Sequence, residues 1–88
     1  MLTAEEKLKI INEFKLSDDD TGSFEVQIAM LSKRILALTE HLQNHQKDFS
    51  SKRGLYKLIG ERRRLLNSLR RVDEDRYALL IKRLGIRK

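Results

Sequence analysis

The chain has 88 residues, of which 19 are lysine or arginine and 13 are aspartate or glutamate, giving a net charge of +6. A chain of this length can bury only one modest core, so we expect a single domain over residues 1–88. It contains no cysteine, which excludes a disulfide framework, a thiolate zinc site and thiol catalysis. No apolar run approaches the ~18 residues that span a bilayer, and the N-terminus is charged where a signal peptide is apolar. We therefore expect a cytoplasmic protein that has no membrane partner.

Positive charge is concentrated in the second half of the chain. Residues 1–50 contain six lysines and arginines against nine acidic residues, a net charge of −3, whereas residues 51–88 contain thirteen against four, a net charge of +9. Such an imbalance favours a polyanionic partner. We expect that partner to meet the second half.

The spacing of apolar residues predicts an all-α protein of four helices. Thr3 and Glu6 have the spacing of a capping box, which predicts a short first helix that ends at about Lys15. The polar segment from Leu16 to Ser23 predicts a loop, with Ser23 as the N-cap of the second helix. Because this linker is polar and the first helix is short, we expect the first helix to be mobile when the protein is free of its partner.

The second and third helices are predicted by two apolar stripes that no strand could present. The first stripe consists of Ile28, Leu31, Ile35, Leu38 and Leu42. The segment HQKDFSSKRG, residues 45–54, then interrupts the pattern and predicts a connecting loop. The second stripe consists of Leu55, Leu58, Leu65, Leu69 and Val72. Helices two and three should therefore form a long antiparallel hairpin.

A short fourth helix is predicted after the hairpin and should pack on it. Asp73, Glu74 and Asp75 place negative charge where a helix start favours it. Tyr77, Leu80, Ile81 and Leu84 supply an apolar face, and Gly85 suits the end of the helix.

Four basic residues of the third helix share one face, opposite part of the leucine stripe: Arg53, Lys57, Arg64 and Arg71. Gly60 lies in the same row, and a residue without a side chain would let a sugar-phosphate backbone approach the helix. The alternative is that basic residues such as Arg62, Arg63 and Arg64 only keep a surface helix soluble. The net charge of +9 over residues 51–88 favours binding to a polyanion over the solubility alternative.

A second cluster consists of His41, His45, Asp48 and Ser51. A zinc site is disfavoured because a third strong ligand is missing, and acid–base cleavage of RNA is disfavoured because no pocket is indicated. We expect no metal, no cofactor and no catalytic residue.

Extending the apolar stripe by three positions reaches His45, which should therefore cap the core and leave His41 freer. Imidazole, carboxylate and hydroxyl groups suit the minor groove of A-form RNA. Asp48 would accept a hydrogen bond from a base amino group or a 2′-hydroxyl, or else act only as a loop solubiliser or a helix cap.

A third cluster runs from Asp20 through Thr21, Gly22 and Ser23 to Gln27. Its simplest interpretation is an ordinary helix N-cap. The alternative is an RNA contact, since a glycine, two hydroxyls, an amide and helix N-terminal N–H groups suit an irregular RNA backbone. The spacing alone favours the N-cap.

Several motifs in order resemble one family, bacterial small-subunit ribosomal protein S fifteen. They are DTGSxEVQ at residues 20–27, HLxxHxKD at residues 41–48, SxRGL at residues 51–55, RRRLLxxLR at residues 62–70 and RYxxLIxxLGIR at residues 76–87. The resemblance covers nearly the whole chain. It implies a four-helix fold that binds the central domain of small-subunit ribosomal RNA and aids its assembly beside neighbouring small-subunit proteins. It also implies contact with large-subunit ribosomal RNA at an intersubunit bridge and, in some members, binding to their own messenger RNA.

The resemblance further implies two RNA sites. A three-way junction would be bound by Thr21, Gly22 and Gln27, with Ser68 beside them, and a helix with a G-U/G-C step by His41, Asp48 and Ser51. Phosphates would be bound mainly by residues of helix three and the nearby loop: Arg34, Lys47, Lys52, Arg53, Lys57, Arg63, Arg64 and Arg71.

Three positions depart from the family pattern. Ser68 stands where relatives often have an aromatic residue that supports the junction contact, so stacking there would be lost or replaced by a hydroxyl contact. Phe24 stands where relatives usually have a small residue or proline, and Phe49 where they often have histidine. Either phenylalanine could pack locally rather than touch RNA.

Two other classes of function compete with RNA binding. A helical DNA-binding regulator would need a short recognition helix after a tight turn, whereas the most basic helix here is predicted to be long and to follow a loop of several residues. No dimerisation element is apparent, so we expect a monomer when the protein is free. A helical module that binds acidic proteins is the second alternative.

Overall fold

Local capping signals determine where the helices begin in the computed structural model, which describes residues 3–15 and 22–86. Those residues form four helices and no strand, with bounds α1 Ala4–Phe14, α2 Phe24–Asn44, α3 Phe49–Val72 and α4 Glu74–Leu84. Helices α2 and α3 form an antiparallel hairpin, α4 packs back on α3, and α1 lies on α2. The predicted all-α architecture of four helices is confirmed. No helix in the described ranges has the length and apolar character to cross a membrane.

The predicted caps of α1, α2 and α4 are confirmed. Thr3 Oγ1 accepts from the Glu6 amide at 3.1 Å and the Glu6 carboxylate accepts from the Thr3 amide at 3.3 Å, which completes the capping box. Ser23 Oγ accepts from the Val26 amide. Gly85 has φ +65°, a left-handed conformation that glycine adopts without a steric penalty, and it ends α4.

Helix α3 begins earlier than expected, so the predicted loop over residues 45–54 is mostly helical. Asp48 caps α3 by accepting a hydrogen bond from the Ser51 amide at 3.1 Å. The cap satisfies a free N–H group of the first turn, which starts the helix without any apolar stripe. Only residues 45–48 connect α2 to α3. The long loop that argued against a DNA-binding helix-turn-helix is therefore absent, whereas α3 is long as predicted, at 24 residues.

The apolar stripes pack into two clusters along the hairpin. Leu31 and Ile35 of α2 meet Leu58 of α3 near the middle. A larger cluster joins all four helices around Ile28 and Leu69, both essentially without exposed surface. Burying such side chains stabilises the fold by about 1.5 to 3 kcal/mol each.

A salt bridge ties the start of α2 to α4. Arg76 donates to both carboxylate oxygens of Glu25, at 2.6 and 2.7 Å. The Glu25 side chain is 7% exposed and that of Arg76 is 32% exposed. A bidentate pair of this kind fixes two elements geometrically. It therefore holds the N-terminal end of α2 against α4.

Helix α1 packs on the rest of the protein in this structure. Ile10 and Phe14 are buried in the larger cluster. The Arg83 guanidinium lies 4.4 Å from the centre of the Phe14 ring and donates to the Glu13 carbonyl at 3.1 Å. The linker residues 16–21 lie outside the described residues. The mobility of α1 in the free protein remains a prediction.

Candidate nucleic-acid interface

The predicted cluster of His41, Asp48 and Ser51 is brought together where α2 ends and α3 begins. The Asp48 carboxylate is its centre, because Oδ2 accepts from His41 Nε2 at 2.8 Å and from Ser51 Oγ at 2.6 Å, while Oδ1 accepts from the Ser51 amide. The side chains of His41 and Asp48 are 41% and 34% exposed. The three groups thus form one hydrogen-bonded unit at the surface.

These hydrogen bonds keep Asp48 ionised. They come from the Ser51 hydroxyl, from His41 and from the Ser51 amide, and they lower the pKa of the Asp48 carboxyl to about 2. Donors that point at a carboxylate favour its charged form. Asp48 is therefore the N-cap of α3 as well as a surface carboxylate, so the two interpretations of this residue are compatible.

His45 does not cap the core, so that prediction is wrong. Its ring is exposed, stacks on the His41 ring with centroids 4.4 Å apart, and donates from Nδ1 to the His41 carbonyl at 3.1 Å. The physical reason is that α2 ends at Asn44. His45 has φ −136° and ψ 63°, which is not a helical conformation. The helical periodicity that carried the stripe ends one residue before it. His41, expected to be the freer ring, is held by Asp48.

The predicted junction cluster is only partly within the described residues. Gln27 Nε2 donates to the Gly22 carbonyl at 2.6 Å, and both residues are exposed at the start of α2. A methyl group added at Gly22 would meet no atom of the described residues within 4 Å, which leaves room there for close approach. Thr21 lies outside the described residues. Ser68 lies on α3 and its hydroxyl accepts from Arg71 Nη2 at 3.4 Å.

The two clusters lie on the same face of the hairpin. Gln27, Arg34 and His41 follow one another at intervals of seven residues, which keeps them on one side of α2. Gln27 and Arg34 line a groove with Glu61 of α3, and this groove continues past Arg34 to Gly54. Fourteen residues separate Gln27 from His41, which corresponds to about 21 Å along the helix. We call this surface, from Gln27 to His41 with the facing side of α3, the hairpin face.

The predicted basic stripe borders the hairpin face. Arg53, Lys57, Arg64 and Arg71 are all exposed, and Gly60 in the same row is exposed too. The four cations follow one another along α3 at intervals of four, seven and seven residues, on the side opposite its core residues. Positive charge is thus available beside both clusters.

The other candidate phosphate-binding residues lie on different surfaces. Arg34 lines the groove and Lys47 lies in the connection between α2 and α3. Lys52 and Arg63 lie on the far side of α3, where Lys52 Nζ is 5.5 Å from the centre of the exposed Phe49 ring. Eight cations expected to serve one purpose are therefore distributed over more than one surface.

The sequence left open whether Phe24 and Phe49 pack locally. Phe24 packs against the larger core cluster, whereas Phe49 is 68% exposed.

Arg62 belongs neither to a binding stripe nor to a solvated face, because it is half-buried and donates to Ser32 Oγ of α2 at 3.3 Å. Burial lowers the pKa of the Arg62 guanidinium. The helical wheel places Arg62 on the core side of α3, a signal that could have distinguished it from Arg63 and Arg64.

Comparison with known proteins identifies the family. The model of the family described as Ribosomal protein S15 matches residues 7–87. A relative from Carboxydothermus hydrogenoformans is 55% identical over 87 residues, and one from Desulforudis audaxviator is 58% identical over 87 residues; each alignment covers 99% of this chain and 98% of the relative. A third, from Caldanaerobacter subterraneus subsp. tengcongensis, is 57% identical over the whole length of both chains. All three are named small ribosomal subunit protein uS15. The chain therefore belongs to the ribosomal protein S15 family.

Proposed function

We propose that the protein binds small-subunit ribosomal RNA through the hairpin face, with a three-way junction at the Gly22 and Gln27 end and a helix minor groove at the His41 end. As a family member it is a structural, non-catalytic component of the small ribosomal subunit, on the ribosome in the cytoplasm, with ribosomal RNA and ribosomal proteins as partners. The proposal concerns which RNA elements and which residues take part.

The observation that carries the proposal is the common register of the two clusters. Because Gln27 and His41 lie on one side of α2, about 21 Å apart, one rigid helix can contact two RNA elements at once. The spacing between those elements then becomes a recognition feature, since an RNA with a different spacing could satisfy only one cluster. Such a face would hold a junction in its folded arrangement.

At the His41 end, the cluster presents mainly hydrogen-bond acceptors. The Ser51 hydroxyl gives its proton to Asp48, so its oxygen remains free to accept, and Asp48 Oδ1 has one further accepting position. In a minor groove the guanine amino group is the donor that distinguishes base pairs, and 2′-hydroxyls supply further donors. A G-U/G-C step offers two such amino groups. The cluster therefore fits that step better than an A-U step.

At the other end, Gly22 leaves room for close approach to the chain, and Gln27 presents an amide. The Gln27 Oε1 atom keeps its accepting capacity while Nε2 is used on Gly22. As part of the proposal, we assign Thr21 and Ser68 to the same junction contact as Gly22 and Gln27. A hydroxyl at position 68 would replace stacking with a hydrogen bond.

Phosphate contacts supply most of the affinity in this proposal. Arg53, Lys57, Arg64 and Arg71 run beside the hairpin face, with Arg34 within it and Lys47 at its end. Each phosphate neutralised releases condensed counterions, which makes binding dependent on salt. These contacts position the protein, whereas the two polar clusters select the RNA.

The proposal includes three consequences for the ribosome. A junction held in place helps the central domain to assemble and neighbouring small-subunit proteins to join it. The protein also contacts large-subunit ribosomal RNA at an intersubunit bridge, and it represses its own translation if its messenger RNA presents the same pair of elements. All three rest on family membership and on the hairpin face.

Hydroxyl-radical footprinting on small-subunit ribosomal RNA tests the proposal. Protection should appear in two separate places, at a three-way junction and at a nearby helix with a G-U/G-C step. Affinity for an RNA that contains both elements should exceed the affinity for either element alone by at least a hundredfold, the low end of the gain from linked contacts. Protection confined to one element would contradict the two-site arrangement.

A further inference from the structure

Two aromatic side chains stand exposed on the side of α3 that faces away from the groove. Phe49 and Tyr56 keep 68% and 69% of their surface in solvent. They are seven residues apart, so they share one side of the helix at about 10.5 Å along its axis. Large rings normally bury their surface, and exposed aromatic surface often marks a binding site. We call Phe49, Lys52, Tyr56 and Arg63 the outer surface of α3.

The outer surface combines planar rings with cations. Lys52 Nζ lies 5.5 Å from the centre of the Phe49 ring. In the sequence, Lys52 stands between Phe49 and Tyr56. Arg63, seven residues beyond Tyr56, is exposed on the same side. The one acidic residue within α3 is Glu61, and it lines the groove about 140° around the helix from Tyr56. No carboxylate of α3 itself offsets the charge of this surface.

This combination matches single-stranded nucleic acid. Successive bases stack on aromatic side chains while basic residues follow the phosphates, and every base offers a face for stacking. A duplex keeps its base faces covered, so it could use only the cations. A hydrophobic protein partner would gain nothing from Lys52 and Arg63.

We propose that the outer surface of α3 binds unpaired RNA bases, as a contact separate from the hairpin face. The rings are about 10.5 Å apart, whereas bases in a continuous stack are about 3.4 Å apart. Each ring therefore takes a separate base, from a strand that is locally extended such as a loop or a bulge. The protein would then join a structured RNA element on one side of α3 to an unpaired segment on the other.

Tyrosine fluorescence provides a direct readout. The chain has no tryptophan and two tyrosines, Tyr56 and Tyr77, and Tyr77 is buried at 7% exposure. The variant Tyr77→Phe leaves Tyr56 as its one tyrosine, with full-length protein otherwise unchanged. Titration with a single-stranded oligoadenylate should quench its emission to saturation. An abasic oligonucleotide of equal length keeps the phosphates and should bind about tenfold more weakly without quenching.

Leucine substitutions separate stacking from apolar contact. Phe49→Leu and Tyr56→Leu keep apolar area but remove the planar ring, and each should weaken oligoadenylate binding about tenfold. Leu36→Ala removes an apolar side chain that is 52% exposed on α2 and serves as the matched control with unchanged binding. Circular dichroism checks that each variant is folded.

Three results would overturn the proposal. Equal affinity for the oligoadenylate and the abasic strand would show that bases are not bound. Wild-type affinity of both leucine variants would remove stacking and favour a protein partner. A matching loss of affinity for structured small-subunit RNA would make this surface part of the hairpin-face contact. If that affinity is retained while oligoadenylate binding falls, the outer surface is a separate site, whatever the fate of the two-site proposal.

Discussion

The two polar clusters of the hairpin face differ in how firmly their side chains are held. At the His41 end, one carboxylate accepts three hydrogen bonds, caps α3 and remains ionised. At the Gln27 end, one amide donates to a backbone carbonyl beside an exposed glycine. The side chain of Asp48 is held by three hydrogen bonds before any RNA is bound, whereas the side chain of Gln27, in the described part of the second cluster, is held by one.

This difference suggests a division of tasks. A preorganised site pays little entropy on binding, so it can discriminate between closely similar RNA helices. A more adaptable site suits an irregular junction whose backbone does not follow A-form geometry. The junction end depends instead on the scaffold behind it, where Glu25 and Arg76 tie α2 to α4.

The largest effect should come from that scaffold. Glu25→Ala leaves Arg76 without its bidentate partner and should lower the free energy of unfolding by about 2 to 3 kcal/mol, less than for a fully buried pair because Arg76 is partly exposed. Urea denaturation measures it. Glu40→Ala, an exposed carboxylate of α2, is the control. A loss below about 0.5 kcal/mol would mean that the pair does not support the junction end.

Asp48→Ala should lower discrimination rather than overall binding. Affinity for an RNA helix with the G-U/G-C step should fall about tenfold relative to the same helix with that step altered, as expected for a good base-edge contact. Ser50→Ala, an exposed hydroxyl in the same turn, is the control. An equal loss on both helices would remove Asp48 from the base-reading residues and leave it as a cap alone.

Gln27→Ala should have a smaller effect, confined to the junction. Loss of one or two ordinary hydrogen bonds predicts about fivefold weaker binding to a junction RNA and unchanged binding to an isolated helix. Gln43→Ala removes an exposed amide elsewhere on α2 and should change neither. Weaker binding to the isolated helix would show that the two clusters are not independent.

Arg64→Ala should weaken both RNAs alike. Removal of one phosphate contact flattens the dependence of log K on log salt by about 0.9 for a duplex. Lys82→Ala, an exposed cation on α4, controls for net charge and should leave the slope unchanged. An unaltered slope in Arg64→Ala would exclude Arg64 from the phosphate contacts.

The smallest effect is a pH-dependent loosening of the first turn of α3. The pKa of Asp48 is lowered from 3.8 to about 2, so its capping contribution is fully present above pH 3.8 and is lost as the pH falls through about 2. NMR of the Ser51 amide measures this transition. A midpoint near 3.8 would mean that the carboxylate is not held by its three donors.

The sequence predicted what depends on periodicity and local caps. Two apolar stripes were enough for the hairpin, and Thr3, Ser23 and Gly85 marked helix ends because each acts on its own neighbours. The earlier start of α3 was missed because FSSKRG is polar and its helix depends on the Asp48 cap. Periodicity also failed at His45, where the helix had already ended.

Contacts between distant parts of the chain could not be read from spacing. Glu25 and Arg76 are 51 positions apart, and nothing local marks them as partners. The helical wheel could have placed Arg62 on the core side of α3, but it could not have identified the partner Ser32, which is 30 positions away. Residue type and spacing marked both polar clusters, the family resemblance assigned them to particular RNA elements, and their grouping on one face became visible only in three dimensions.

Cleavage from tethered probes would test the two-site hairpin face most directly. The chain has no cysteine, so Ser50→Cys near the His41 end and Lys7→Cys, which lines the groove with Gln27, both exposed positions, can each carry a single iron chelate that cuts nearby RNA. On small-subunit ribosomal RNA, the first should cut beside a helix with a G-U/G-C step and the second beside a three-way junction. Overlapping cuts from the two positions would contradict a face that spans two RNA elements.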